Sequence, residues 1–265
     1  MVMDDAQSNS PAAVAARPVK LKLTGVSKTY SNGAQAMAAL GPVNLEIREG
    51  EFVVFFGPSG CGKSTLLNII AGFEKVTRGQ VSLDGRSVEG PHRDRLLMFQ
   101  EHGLFPWLNV IQNVMYGLKR RFRFRPRARR AHARRFLEMV HLGDFEEARV
   151  HELSGGMRQR AALARALAPD PKVLLVDEPF GALDALTRAK LYGDLQEIQQ
   201  RTSKTIILVT HDPREAACLG DRVLVFSGRP GQIKADITIS LARPRDINDP
   251  VVAECGAGIM AQLEA

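Results

Sequence analysis

Apolar residues along this chain fall in short runs bounded by Gly, Pro, Asn and Asp rather than in long uniform blocks. Between Lys20 and Gln80 the runs are brief and β-rich. Val19–Leu23, Val43–Ile47 and Gln80–Leu83 each read as a strand, and Asp84-Gly85 reads as the hairpin turn that follows the last of them. Phe52–Phe56 is apolar without a break and runs into Gly57, the pattern of a strand buried on both faces. From 101 to 152 the strand runs stop. Val110–Leu118 and Ala128–His141 read as helices, the second with Phe136, Met139 and Val140 as its apolar stripe. From Val173 strand and helix alternate: Val173–Val176, Leu186–Gln200, Thr205–Val209, Pro213–Leu219 and Arg222–Val225. That alternation argues for a parallel α/β core, with 101–152 as a mostly helical insertion. Residues 1–18 are polar and aperiodic and read as a disordered tail; the stretch after about Pro244 is weakly patterned.

Composition narrows the class. In 265 residues, 45% are hydrophobic and 25% charged, enough for a real core and too apolar for a disordered chain. No apolar run reaches the length of a transmembrane helix, and no signal peptide is visible. A cytosolic chain that meets a membrane through a partner or at its surface is therefore expected. Cys61, Cys218 and Cys255 form no CxxC pair, which argues against a disulfide framework or zinc site. The net charge of +7 is local. Residues 119–135 hold ten Lys and Arg and no acid; the remainder carries 26 basic against 29 acidic residues. The overall basicity is thus weak evidence for a nucleic-acid partner, which is not expected.

Chemistry concentrates at two places. Gly57-Pro58-Ser59-Gly60-Cys61-Gly62-Lys63-Ser64 matches G-x-x-x-x-G-K-[ST], with an apolar strand before it and the helical Thr65–Ala71 after it. The glycines allow a tight turn whose N–H groups converge on phosphate oxygens. Lys63 supplies a full positive charge for the β- and γ-phosphates, and the Ser64 hydroxyl suits Mg²⁺. Farther on, the apolar strand Val173–Val176 ends in Asp177-Glu178. An Asp there can hold Mg²⁺ through water, and a neighbouring acid can act as general base on the attacking water. His211 follows another apolar strand; it is either a structural hydrogen-bonding residue or a γ-phosphate contact.

Leu153-Ser154-Gly155-Gly156-Met157-Arg158-Gln159-Arg160 resembles the signature motif of the ABC-transporter ATPases and lies about 20 residues before Val173. Further motifs of that family follow in order over about residues 20–240. Tyr30 stands where an aromatic stacks on adenine, Gln100 resembles the Q-loop glutamine, Gly181-Ala182-Leu183-Asp184 the D-loop, and His211 the switch histidine. The resemblance implies a phosphate-loop NTPase fold: a RecA-like parallel core, an antiparallel β subdomain and a helical signature subdomain. It implies ATP and Mg²⁺, the latter held by Ser64, Asp177 and Gln100, with Lys63, Gln100, Glu178 and His211 acting on the γ-phosphate and its water. Thr65 joins the nucleotide-binding set. Ser154–Gly156 opens a second anion-accepting helix, more than one chain needs for one γ-phosphate. The family's head-to-tail homodimer, or a pseudo-symmetric pair, places Ser154, Gly155, Gly156 and Asp184 against the partner's ATP. The chain divides on this reading into a tail (1–18), an ATPase unit (19–245, with a helical part at about 101–165) and a C-terminal tail (246–265).

Finer wording, in Met98–Leu108, Pro179–Arg188, Gly228-Arg229-Pro230-Gly231 and Leu241–Arg245, resembles the nitrate/sulfonate/taurine importer ATPases. That implies a separate membrane permease, an indirectly linked solute-binding protein, and a place on the cytoplasmic face of the inner membrane. A soluble ABC ATPase of DNA repair or translation, or an importer of another solute class, is the alternative. Trp107, with Leu104 and Phe105, either packs in the core or lines a groove for a permease helix. The basic run 119–135 is a solvated face, a patch for anionic lipid, or, third, a nucleic-acid contact.

Overall fold

Two sheets organise the chain, and the computed structural model describes residues 16–32, 35–99, 103–181 and 183–264. The expected tail thus lies almost entirely outside the described residues. Strands β1 (Val19–Asn32) and β2 (Gln35–Arg48) pair antiparallel, and β3 (Phe52–Phe56) then leaves for the second sheet. β4 (Arg78–Leu83) pairs with β1, and β5 (Arg86–Ser87) completes the first sheet in the order β2-β1-β4-β5. The turn between β4 and β5 places Asp84 at φ 48° and Gly85 at φ 75°, consecutive left-handed residues that the Asp-Gly pair supplies cheaply.

The second sheet adds β6 (Arg95–Met98), β7 (Val173–Asp177), β8 (Thr205–Thr210), β9 (Arg222–Phe226) and β10 (Ile233–Thr238). Its order is β10-β9-β3-β8-β7-β6; all neighbours are parallel except β10, which is antiparallel to β9. The unbroken apolar runs have a simple cause. Phe52, Val54 and Phe56 enter one core cluster, whereas Val53 and Phe55 enter the other, on the opposite face. β10, half-exposed along its length, carried no such run and was not anticipated from the sequence.

Helix α1 (Lys63–Ala71) lies between the sheets; Leu66, Leu67 and Ile70 share a cluster with Leu21 and Ile47 of the first sheet. Helices α2 (Val110–Tyr116), α3 (Pro126–Met139) and α4 (Gly155–Leu167) pack on one another as the helical insertion. The buried face of α3 is Ala133, Leu137 and Val140, at i, i+4 and i+7; Phe136 and Met139 sit half-buried beside it. The expected stripe thus packs on the core, and Ala133 and Leu137 complete it. α5 (Ala185–Thr202) and α6 (Pro213–Leu219) cover the second sheet. The weakly patterned stretch after Pro244 contains a helix, α7 (Pro250–Glu264), docked on α6 through Val252, Gly256 and Ile259. A Cβ at Gly256 would stand 3.2 Å from the Pro213 carbonyl oxygen, so the two backbones meet at a residue with no hydrophobic signature.

Candidate active site

β3 ends at Phe56, and the chain turns through Gly57–Gly62 into α1. Gly60 and Gly62 have φ of 76° and 94°. A Cβ at Gly62 would lie 2.7 Å from both the Ala39 carbonyl oxygen and Leu40 Cδ2, so conformation and space both require glycine. Gly62 caps α1 without a side-chain acceptor, which leaves the first-turn amides to an anion. They face a cleft of about 320 Å³ lined by Ser59, Gly60, Gly62, Lys63, Ser64 and Thr65 on this side. Gly57, Pro58 and Cys61 shape the loop from behind; Cys61 is 1% exposed and belongs to the core beneath. The Lys63 ammonium donates to the carbonyls of Gly57 (2.7 Å) and Pro58 (2.8 Å), which holds its charge against the loop.

Two carboxylates arrive from the C-terminal end of β7. Ser64 Oγ donates to Asp177 Oδ1 at 3.0 Å. Burial pushes the Asp177 carboxyl above its ordinary range, and the Ser64 hydroxyl works against that shift. Glu178 leaves the strand at φ 41°, a costly conformation for a non-glycine, with its N–H bonded to the Val209 carbonyl at 3.1 Å. That kink puts Glu178 into the cleft wall and its Oε2 3.1 Å from His211 Nδ1. The turn carrying His211 is fixed from below. The Thr210 hydroxyl donates to buried Glu215 and accepts from the Asp212 N–H at 3.0 Å, while the Tyr192 hydroxyl donates to the other Glu215 oxygen.

The hard oxygens of Ser64 and Asp177 are a donor set that suits Mg²⁺. Among the described residues no cluster of three or more His, Cys, Asp or Glu side chains placed to hold a metal ion occurs. Gln100, the third expected ligand, lies outside the described residues, as does Ala182 of the D-loop-like run.

Tyr30 and Met37, register partners across β1 and β2, line the opposite wall with Arg229. Arg229 Nε donates to the Gly60 carbonyl at 2.7 Å, and a terminal nitrogen lies 3.7 Å from Met37 Sδ. The guanidinium thus spans the phosphate loop and the strand facing Tyr30. Sequence reasoning assigned no role to Met37 or Arg229. A usable signal was present in Gly231, where a Cβ would fall 1.9 Å from the Cys61 carbonyl oxygen. Glycine there marks close backbone approach.

Ser154, Gly155, Gly156 and Asp184 stand apart from this cleft, and none is among its lining residues. Ser154 caps α4 by accepting from the Met157 N–H at 3.3 Å, and Asp184 caps α5 by accepting from the Thr187 N–H at 3.0 Å. The Thr187 N–H also holds the Asp184 carboxyl below its usual range. A Cβ on Gly156 would meet Thr187 Cγ2 at 2.3 Å, so the two helix starts are packed side by side. Trp107 is 69% exposed, which excludes the core reading. Its ring lies 5.4 Å from Phe105, which in turn lies 4.5 Å from Tyr116; Leu104 and Phe105 are half-buried.

The family model described as "ABC transporter" matches residues 40–181. The chain is 48% identical over 232 residues to a protein of Burkholderia pseudomallei named "Taurine import ATP-binding protein TauB", covering 88% of this chain and 89% of that one. It is 45% identical over 230 residues to "Nitrate import ATP-binding protein NrtD" of Synechocystis, covering 87% and 85%. A solved structure titled as a dimeric post-hydrolysis state of the ATP-binding cassette MJ0796, bound to ADP and Pi, superposes with a TM-score of 0.72. It is 37% identical and covers 83% of this chain and 98% of that one.

Proposed function

The chain belongs to the ABC transporter family and is an ATPase of that family with its phosphate-loop NTPase fold; from that premise we propose that it energises an importer for a small anion or sulfonate-type solute. The observation that carries the transport half of this reading is likeness, at 45–48% identity over most of the chain, to proteins named for taurine and nitrate import. We read 19–245 as the ATPase unit, with 101–165 as its helical part.

In this reading Tyr30 packs on the adenine and Arg229 braces the phosphate loop against that wall. The loop amides from Ser59 to Thr65 and the Lys63 ammonium take the charge of the β- and γ-phosphates. Ser64, Asp177 and Gln100 would hold Mg²⁺, which would supply positive charge beside the phosphates. Glu178 accepts a proton from the water as its oxygen attacks the γ-phosphorus, and ADP leaves. His211 keeps the Glu178 carboxylate oriented through the 3.1 Å contact and reaches the γ-phosphate. Phosphate-loop and Ser154–Gly156 segments from two copies, head to tail, enclose each nucleotide, and Asp184 lies at that junction. Closure moves a membrane permease through the half-buried Leu104 and Phe105 and the exposed Trp107, and the solute-binding protein acts through that permease. The chain works at the cytoplasmic face of the inner membrane; no described helix is long and apolar enough to cross one.

Tagged Glu178→Gln protein, recovered from native membranes with ATP and Mg²⁺, tests the reading. A multi-span permease should co-purify, and adding Trp107→Ala should lower its yield about tenfold, as loss of an aromatic interface anchor does. Recovery of soluble partners alone would overturn the transport assignment.

A further inference from the structure

We propose that the basic turn between α2 and α3 docks on anionic phospholipid headgroups beside the permease, an inference that rests on the transport reading above. Arg130 and Arg134 of α3 are occupied, forming salt bridges with Glu146 and Glu147. Lys119, Arg120, Arg123, Arg125 and Arg127 are all exposed, and none takes part in a salt bridge among the described residues. Acidic residues are absent from 119–135 itself; the acids that face the run are Glu146 and Glu147 at Arg130 and Arg134, and Asp170 near Arg121. The turn is also shaped. Leu118 is fully buried, Phe122 packs on His132 with ring centroids 5.2 Å apart, and the N–H groups of Phe122 and Arg125 bond back to the carbonyls of Leu118 and Phe122.

That anchoring presents Phe124, 85% exposed, amid the guanidinium groups, with Arg123 5.1 Å from its ring centroid. An apolar ring offered with surrounding cations suits a membrane interface, where the ring enters the acyl boundary and the cations meet headgroups. A nucleic-acid groove would use several stacking rings, and this turn exposes one. The position agrees. Lys119 lies 4.5 Å over the Tyr116 ring, and Tyr116 touches Phe105, so the cationic turn begins where the permease-facing aromatic strip ends.

The test is co-sedimentation of the full chain with phosphatidylcholine vesicles, with or without about one-third phosphatidylglycerol, at low and high salt. Binding is expected only to the anionic vesicles and only at low salt. Arg120→Gln/Arg123→Gln should weaken it about 25-fold, near fivefold per cation. Phe124→Ser should weaken it several-fold. Arg130→Gln/Arg134→Gln, the same formal charge change at paired sites, should leave it within about twofold. Equal losses from both double variants, undiminished binding by the first, or tighter binding to a single-stranded oligonucleotide than to the vesicles would overturn the proposal. ATP turnover measured without vesicles confirms that each variant is folded. Absence of turnover in the unmodified chain would instead count against the ATPase reading, so the two failures are distinguishable.

Discussion

Helices α1, capped by Gly62, and α4, which opens with Gly155 and Gly156, both offer first-turn amides, yet their surroundings differ. At α1 a lysine, a serine hydroxyl, two carboxylates and a histidine converge from the ends of β3, β7 and β8. At α4 one amide is already taken by Ser154, and the neighbouring group is the start of α5. The first site has the groups needed to bind and hydrolyse a nucleotide. The second has an anion-accepting end and no chemistry of its own. On the proposed reading, the difference makes α4 half of a site that a second copy of the chain would complete.

That comparison breaks most sharply with paired substitutions. Glu178→Gln should lower turnover by about 10² to 10⁴ while leaving ATP affinity intact, because it removes the base and keeps the shape. Ser154→Arg should lower turnover by about 10² with equally intact affinity, since it touches nothing in the cleft of its own chain. A fall in ATP affinity of the isolated Ser154→Arg chain, read by fluorescent-nucleotide titration, would show that α4 serves its own cleft.

A smaller effect separates function from stability at the α1 site. Asp177 is held above the ordinary carboxylate range by burial, so its ionised form costs folding energy at neutral pH. Asp177→Asn should remove turnover and raise the midpoint of thermal unfolding. The sign fixes the pH window: the gain is complete above the raised folded value and disappears as pH falls below the ordinary carboxylate range, where both states are protonated. Calorimetry across that range reads it directly. The smallest effect belongs to Arg229→Ala, which deletes a hydrogen bond to Gly60 and should raise KM for ATP about fivefold with kcat little changed.

The same contrast explains what could be read in the sequence. Gly57–Ser64 was legible because its chemistry is local: strand, turn and helix follow within a few residues. Asp177-Glu178 was legible because an unbroken apolar strand rarely ends in paired acids. Arg229 was not, because its partner Gly60 is 169 residues away and only folding joins them. α7 escaped notice because its docking face includes Gly256, which contributes closeness rather than apolar area. The stripe on α3 was legible in Phe136, Met139 and Val140, which pack on the core, but not in Ala133 and Leu137, which are fully buried within it. Trp107 shows the converse: its size suggested a core, and its exposure assigns it to the surface.

Light scattering of Glu178→Gln with saturating ATP and Mg²⁺ tests the two-copy site most directly. A mass near twice the 29.1 kDa of one chain is expected, collapsing to the single-chain mass when Ser154→Arg is added although ATP stays bound. A single-chain mass for Glu178→Gln at saturating ATP, or a stable dimer indifferent to Ser154→Arg, would contradict it.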